Sequence, residues 1–113
     1  MSADITQVEM AVIQAQAEAA QACRNWLNQH GDRDACGFAW VNIYGVRSNS
    51  KLGKALIAAG FRKSWERGSL QFWNPAKSGT QSVSALEAGA EAFAERIRAN
   101  LGIERCYAGS RLD

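Results

Sequence analysis

A basic, amide-rich turn is the first feature of this sequence that indicates chemistry. The stretch GVRSNSKLGKAL, residues 45–56, follows an apolar run, opens a predicted helix and contains no acid. At a helix N-terminus, free backbone N–H groups and the helix dipole favour a bound anion. The spacing is not that of a P-loop, and the alternative is a capped helix with a solvated first turn. The residues that would hold a phosphate or another anionic group are Arg47, Asn49, Ser50, Lys51 and Lys54.

A second polar loop, residues 74–82, contributes Lys77 and Thr80 to the same hypothesis. We expect the first and third strands of the chain to be parallel neighbours, so that the loops that follow them, 45–50 and 74–82, meet at one edge of the sheet. The last strand is expected to run antiparallel to the first. This direction places Arg111 at the opposite edge, where it joins the anion site only across a subunit boundary.

Aromatic side chains in the predicted strands are candidates for stacking on a ligand. Trp40, Tyr44, Trp65 and Trp73 lie within or next to the basic segment, and the alternation of strand 35–45 places the first two on one face. Nucleobases and arginine planes stack on such rings. The alternative is that aromatic residues fill the core, and we expect that role for Phe38 and Phe72.

Motifs for catalysis or metal binding are not found in the sequence. His30 is the sole histidine, and no serine or cysteine motif lies near it. Cys23, Cys36 and Cys106 are widely spaced, odd in number and without a CxxC pair. This pattern argues against a disulfide framework and against a zinc site. We therefore predict reduced, mostly buried thiols, no metal, no cofactor and no enzymatic activity.

Charge and hydropathy limit the classes of partner. Residues 45–80 carry seven cations and one acid, whereas the rest of the chain is net acidic. A basic middle segment suggests an anionic partner, and the alternative is a lysine-rich solvated surface. The net charge of +2 is modest for duplex binding, which needs several phosphate contacts. Without a long apolar run or a signal-peptide pattern, we expect a cytoplasmic protein with no membrane partner.

Hydrophobic periodicity predicts a single α+β domain, residues 1–113. A long N-terminal helix forms an arm, 1–31, and a sheet-and-helix core, 35–109, follows in the order β-α-β-β-α-β. This order is that of a ferredoxin-like unit with an antiparallel sheet. We expect the two core helices on one face of the sheet and the long helix on the other. The last helix is predicted to begin at a capping box formed by Ser84 and Glu87.

The apolar stripe of the long helix consists mostly of alanine, which indicates close packing against a neighbour. Together with the aromatic face of the first strand, this stripe offers more apolar surface than one small domain covers. The sequence therefore predicts a homo-oligomer, a dimer, with Ala15 and Ala19 of the long helix at the interface.

The stretches CGFAWVNIYGVRSNSKLGKALIAAGFRKSW, LEAGAEAFAERIRANLGI and YAGSRLD resemble parts of small, mostly uncharacterised proteins of tailed bacteriophages. The resemblance runs over residues 36–113. It implies a phage accessory protein that acts in the cytoplasm of the infected bacterium, and it implies no catalytic residue. Small phage proteins of this kind often block a host defence system.

These observations predict a phage-encoded, non-enzymatic binding protein that inhibits a host defence system. It would bind a host protein or sequester an anionic nucleotide signal. Two alternatives stay open at this point. One is a small nucleic-acid-binding module that uses the basic segment 45–80, and the other is a structural or assembly protein.

Overall fold

The computed structural model of the chain describes residues 5–32, 34–64, 66 and 68–112. Over these residues the fold is α+β, with three helices and one four-stranded antiparallel sheet. In chain order the elements are α1 (Ile5–His30), β1 (Gly37–Tyr44), α2 (Lys51–Ala58), β2 (Arg62–Lys63), β3 (Ser69–Trp73), α3 (Val83–Leu101) and β4 (Cys106–Leu112). None of the helices in this part of the chain is long and apolar enough to cross a membrane.

The strands lie in the order β2-β3-β1-β4, and every neighbouring pair is antiparallel. The predicted parallel pairing of the first and third strands is therefore wrong. The connection between β2 and β3 is short and reverses the chain, and β3 then inserts between β2 and β1. Since β3 is antiparallel to both, the loops at 45–50 and 74–82 leave the sheet at opposite ends.

Alternation along β1 sorts its side chains onto two faces of the sheet. Gly37, Ala39, Val41 and Ile43 are buried, whereas the residues between them are only half-buried. The buried face joins the helices in one core, in which Phe61, Phe72 and Phe93 form an aromatic cluster with ring centroids 4.7–6.0 Å apart. The core role expected for Phe72 is confirmed.

The long helix α1 packs against α3 and α2 and not on the second face of the sheet, so the predicted position of this helix is wrong. Its alanine stripe allows a close approach to α3, where a Cβ added to Gly89 would lie 3.0 Å from the Ala19 carbonyl oxygen. Ala15 and Ala19 are fully buried inside the chain itself. They are therefore unavailable as the predicted dimer interface.

An ion pair also joins α1 to α3. The Arg96 guanidinium donates two hydrogen bonds to the Glu18 carboxylate, which lowers the pKa of Glu18 and raises that of Arg96. Both side chains are about a third exposed, so solvent screens this pair and the alanine packing carries most of the contact.

The third helix begins two residues earlier than its predicted capping box. Ser82 is the N-cap, and its hydroxyl accepts the Ala85 N–H. The Asp34 carboxylate accepts hydrogen bonds from the Ser82 hydroxyl and from the Ser84 N–H. Ser84 therefore lies in the first turn of the helix, and its N–H is bound by a carboxylate from a loop far away in the sequence. By contrast, α2 is capped locally by Ser50, whose side chain accepts the Gly53 N–H.

Candidate functional site: the open face of the sheet

The second face of the sheet carries no helix in the described structure, and we call it the open face. Cross-strand partners project from the same side of a sheet, so the register assigns its members. They are mostly aromatic, amide or arginine side chains, and only part of each aromatic surface is covered. The open face consists of Phe38, Trp40, Asn42, Tyr44, Arg62, Gln71, Trp73, Tyr107, Gly109 and Arg111.

Three aromatic rings form a platform at one end of the open face. Trp40 and Trp73 are cross-strand partners with ring centroids 5.7 Å apart and planes only 3° apart. The Phe38 ring centroid lies 5.7 Å from that of Trp73. Trp73 is 52% exposed, which is unusual for a tryptophan. Phe38 is half-buried on this face, so the core role expected for it is wrong.

Gly109 provides the space that Trp40 occupies. A Cβ at this position would lie 2.6 Å from the indole Nε1 of Trp40. The indole therefore lies against the backbone of β4, and any side chain at 109 would displace it. The platform is thus built by three strands, with β3 and β1 supplying the rings and β4 supplying a flat support.

Two arginines flank the rings of the open face. The guanidinium carbon of Arg111 lies 5.7 Å from the centroid of Phe38, and that of Arg105 lies 5.5 Å from the centroid of Tyr44. Both arginines are exposed, and neither forms an ion pair with a described residue. An arginine over a ring keeps its N–H edge available for a phosphate.

A row of polar residues crosses the middle of the open face. The pairings Arg62–Gln71, Gln71–Asn42 and Asn42–Tyr107 place these four side chains side by side on four strands. Gln71 and Asn42 offer amide donors and acceptors, which are the groups that recognise the edges of nucleobases.

Asn42 belongs to a short hydrogen-bond chain that ends at a carboxylate. The Tyr44 hydroxyl donates to Glu66 over 2.8 Å and accepts from Asn42 Nδ2 over 3.4 Å. The hydrogen bond to Glu66 raises the pKa of Tyr44, followed in size by burial of the phenol. Asn42 Oδ1 is out of contact with solvent and has no hydrogen-bond partner among the described residues. An unsatisfied buried acceptor costs about 1–3 kcal/mol.

The structure divides the residues of the predicted anion site between two ends of the sheet. The turn with Arg47 and Lys51 follows the C-terminal end of β1, whereas Lys77 follows β3 at the other end. The eight residues of β1 separate these ends by about 25 Å. Arg111 pairs with Phe38 and therefore lies at the end opposite to Arg47, as predicted. Thr80 donates its hydroxyl to Asp32. Trp65 lies outside the described residues.

The backbone of the basic turn is closed by hydrogen bonds that involve Ser50. The Arg47 carbonyl accepts hydrogen bonds from the Ser50 N–H over 3.0 Å and from the Ser50 hydroxyl over 2.6 Å. That hydroxyl in turn accepts the Gly53 N–H. A Cβ at Gly53 would lie 1.9 Å from the Arg47 carbonyl oxygen, so the turn closes tightly on its own helix. This geometry favours the capped-helix interpretation, with Asn49, Lys51 and Lys54 in and around the first turn.

Sequence reasoning missed part of the open face. It did not single out Gln71, Tyr107 and Gly109. Trp73 was named among the aromatic candidates without being assigned to the site, whereas Trp40 and Tyr44 were assigned to it. The available signal was the alternation in SLQFW and in CYAGSRL, which places every second residue on one face. Only the pairing with β1 shows that these faces join.

The cysteines do not belong to this face. All three are free, and burial raises the pKa of the Cys106 thiol to about 12. Cys23 and Cys106 are buried, so the prediction of mostly buried thiols is confirmed. Cys36, the residue before β1, is the exposed one and donates to Gln81 Oε1 over 3.3 Å. Among the described residues, no three ligand-type side chains cluster as a metal site would require.

Compared with protein-family models, curated proteins and solved structures, the chain matches none of them. The evidence for its function therefore comes from the chemistry of the open face.

Proposed function

We propose that this protein is a non-enzymatic binding protein whose open face holds a nucleobase-bearing anion. The observation that carries the proposal is the uncovered platform of Phe38, Trp40 and Trp73 with Arg111 beside it. Stacking on an aromatic side chain contributes about 1–3 kcal/mol per base. The neighbouring arginine supplies the charge that a phosphate requires.

The composition of the open face favours a nucleotide over an apolar partner. Arg62, Arg105 and Arg111 surround the rings, and an amide row lies between them. A sheet that stacks bases on its outer face while helices cover the inner face is an established way of binding single strands. The ligand is therefore a free nucleotide or a single-stranded nucleic acid, since both present the same base and phosphate.

The biological setting that we propose comes from the bacteriophage resemblance. In an infected bacterial cytoplasm, such a protein would sequester a nucleotide signal or cover a single strand on which a host defence system depends. If the open face does not bind nucleotides, the alternative partner of this aromatic face is a host protein.

We also propose that the sheet with α2 and α3 is a reduced ferredoxin-like unit. The element order β-α-β-β-α-β and the strand order β2-β3-β1-β4 support this classification. The unit differs from a full ferredoxin-like unit at β2, which has only two residues. These two residues pair with Leu70 and Gln71, so Phe72 and Trp73 of β3 have no partner on β2.

The test is binding of the wild-type chain to two kinds of probe. Calorimetry with cyclic and linear nucleotides detects a small-ligand site, and fluorescence anisotropy with short labelled DNA and RNA strands detects a single-strand site. The variants are Trp73→Ala, which removes an exposed ring of the platform, and Lys54→Ala, which removes a cation of the basic turn. We expect Trp73→Ala to weaken binding about tenfold or more, while Lys54→Ala binds as wild type. Absence of binding to every probe, or equal binding by both variants, contradicts the proposal.

A second function, self-association, is favoured by one further observation. On α1, the side chains of Ile5, Met10 and Ile13 are 57%, 66% and 65% exposed. Met10 and Ile13 also line a shallow apolar groove between α1 and the end of α3. We propose this surface as the contact of a homo-oligomer, in place of the buried Ala15 and Ala19.

A further inference from the structure

We propose that the open face selects adenine and cytosine through their exocyclic amino groups, and that Asn42 Oδ1 is the acceptor that recognises these groups. The inference rests on the proposed function, because it names the bases that the same site prefers. It predicts discrimination in favour of adenine and cytosine over thymine and uracil.

The hydrogen bonds of the Tyr44 hydroxyl fix the orientation of the Asn42 amide. The Tyr44 hydroxyl has one proton, which it donates to Glu66 over 2.8 Å. Its oxygen can therefore only accept from Asn42, and the amide must present Nδ2 to it. This hydrogen-bond chain leaves Oδ1 as the free group of the amide. Asn42 is thus held as an acceptor, whereas a freely rotating amide would offer either group.

The Oδ1 acceptor of Asn42 is buried and unsatisfied in the described structure. Asn42 Oδ1 has less than 1 Å² of accessible surface and no hydrogen-bond partner in the described structure. Buried acceptors are normally paired, and an exception calls for a physical reason. A ligand N–H that reaches Oδ1 after a small shift of the surrounding side chains would satisfy it. The lone acceptor therefore favours a ligand that carries a donor.

Strand β1 sets the position of Asn42 relative to the platform. Trp40 and Asn42 are two residues apart on β1 and project from the same face, about 7 Å apart along the strand. A base stacked on the ring of Trp40 or Trp73 therefore extends its edge toward the amide row. Gln71, the cross-strand partner of Asn42, lies beside it with a complete amide group.

The fixed orientation of Asn42, its unsatisfied Oδ1 and its distance from the platform determine which bases fit. Adenine and cytosine present an amino group that donates to Oδ1, next to a ring nitrogen that accepts from an amide such as Gln71. Thymine and uracil also carry a donor, the imide N–H, but two projecting carbonyl oxygens flank it. A base that donates this N–H to Oδ1 therefore brings both oxygens toward the same fixed acceptor, whereas an exocyclic amino group projects beyond its neighbouring ring nitrogen. A matched or mismatched amide contact changes binding by about fivefold to a hundredfold.

The experiment compares labelled oligo(dA), oligo(dC) and oligo(dT) of about ten nucleotides, a length within the site sizes of single-strand-binding folds. The wild-type chain is expected to bind oligo(dA) and oligo(dC) at least about fivefold more tightly than oligo(dT). Asn42→Leu removes the amide at similar volume and should abolish this discrimination, whereas Trp73→Ala should weaken all three strands alike.

A second variant separates positioning from a general loss of structure. Tyr44→Phe keeps the ring but removes the hydroxyl that holds Asn42 Nδ2, so the amide becomes free to rotate. We expect reduced discrimination with retained affinity for oligo(dT), and an unchanged thermal melting temperature within a few degrees serves as the folding control. Equal binding of the three strands by wild type overturns this inference and leaves the proposed function in place. Absence of binding to any strand or nucleotide overturns both.

Discussion

Trp40 and Trp73 lie opposite each other on β1 and β3, with ring planes 3° apart and centroids 5.7 Å apart. Parallel planes at this separation show that the two indole rings stack with an offset, on a face that no described helix covers. Two adjacent, partly exposed indoles are costly for an isolated chain, because apolar surface stays in contact with water. The stacked pair therefore marks the open face as the candidate binding surface.

Gly109 should be necessary for the platform. Replacing it by alanine puts a Cβ 2.6 Å from the Trp40 indole, which must then leave its support on β4. We expect Gly109→Ala to weaken nucleotide binding about tenfold, because one stacking surface is misplaced, and to shift the intrinsic tryptophan fluorescence. Gly79→Ala is the matched control, since a Cβ there meets nothing within 4 Å. Unchanged binding by the Gly109 variant would argue against the platform as the ligand surface.

Arg111 should matter more for an anionic ligand than Arg47 does. Arg111 lies over Phe38 beside the platform, whereas Arg47 follows the other end of β1, far from the three rings. A hydrogen bond to a charged group is worth about 1.5–3 kcal/mol, so Arg111→Ala should weaken binding at least tenfold. It should also reduce the slope of log binding affinity against log salt concentration by about the amount that one phosphate contact contributes. Titrations at several salt concentrations, with Arg47→Ala as the matched control, measure both effects. If Arg47→Ala weakens binding more than Arg111→Ala does, the anion binds at the basic turn and not beside the platform.

The cap of α3 should make stability depend on pH in the acid range. Hydrogen bonds from Ser84, together with one from Ser82, lower the pKa of Asp34 from 3.8 to about 2. A folded-state pKa below the unfolded value means that the carboxylate stabilises the fold above about pH 4, and that this contribution disappears as the pH falls toward 2. Asp34→Asn should therefore lower the melting temperature at pH 7 and have little effect near pH 2. Glu104→Gln, at an exposed position, serves as the control. If Asp34→Asn lowers the melting temperature by the same amount at pH 7 and near pH 2, the charge of Asp34 is not involved.

Self-association, if it uses α1, should be sensitive to charge at Met10 and Ile13. Both side chains are about two-thirds exposed in the single chain, so glutamate is tolerated there without loss of the core. The double variant Met10→Glu, Ile13→Glu should be monomeric by light scattering at concentrations where wild type is a dimer. Gln29→Glu, at an exposed position near the end of α1, is the control. Ala15→Glu, in contrast, should unfold the chain, since Ala15 is completely buried. A wild-type monomer would exclude this role for the groove.

Local patterns in the sequence determined the elements and their faces. The alternation of strand 35–45 correctly separated Trp40 and Tyr44 from Ala39 and Val41, because successive side chains of a strand must point to opposite sides. In the same way, the polar residues 48–50 indicated where α2 begins, and the apolar spacing of the last helix identified Phe93 and Ile97 as core residues. These features depend on neighbours a few residues away, which the sequence displays directly.

The tertiary structure alone decided which elements meet. Insertion of β3 between β2 and β1 moved Lys77 away from Arg47 and brought Trp73 beside Trp40. The close approach of Ala19 to Gly89 placed α1 with the other helices and left the aromatic face uncovered. Strand order and helix placement depend on pairings between residues far apart in the chain, and alternative pairings preserve the same local patterns. The sequence therefore supplied the aromatic, amide and arginine side chains, and the packing of the whole chain assembled them into one surface.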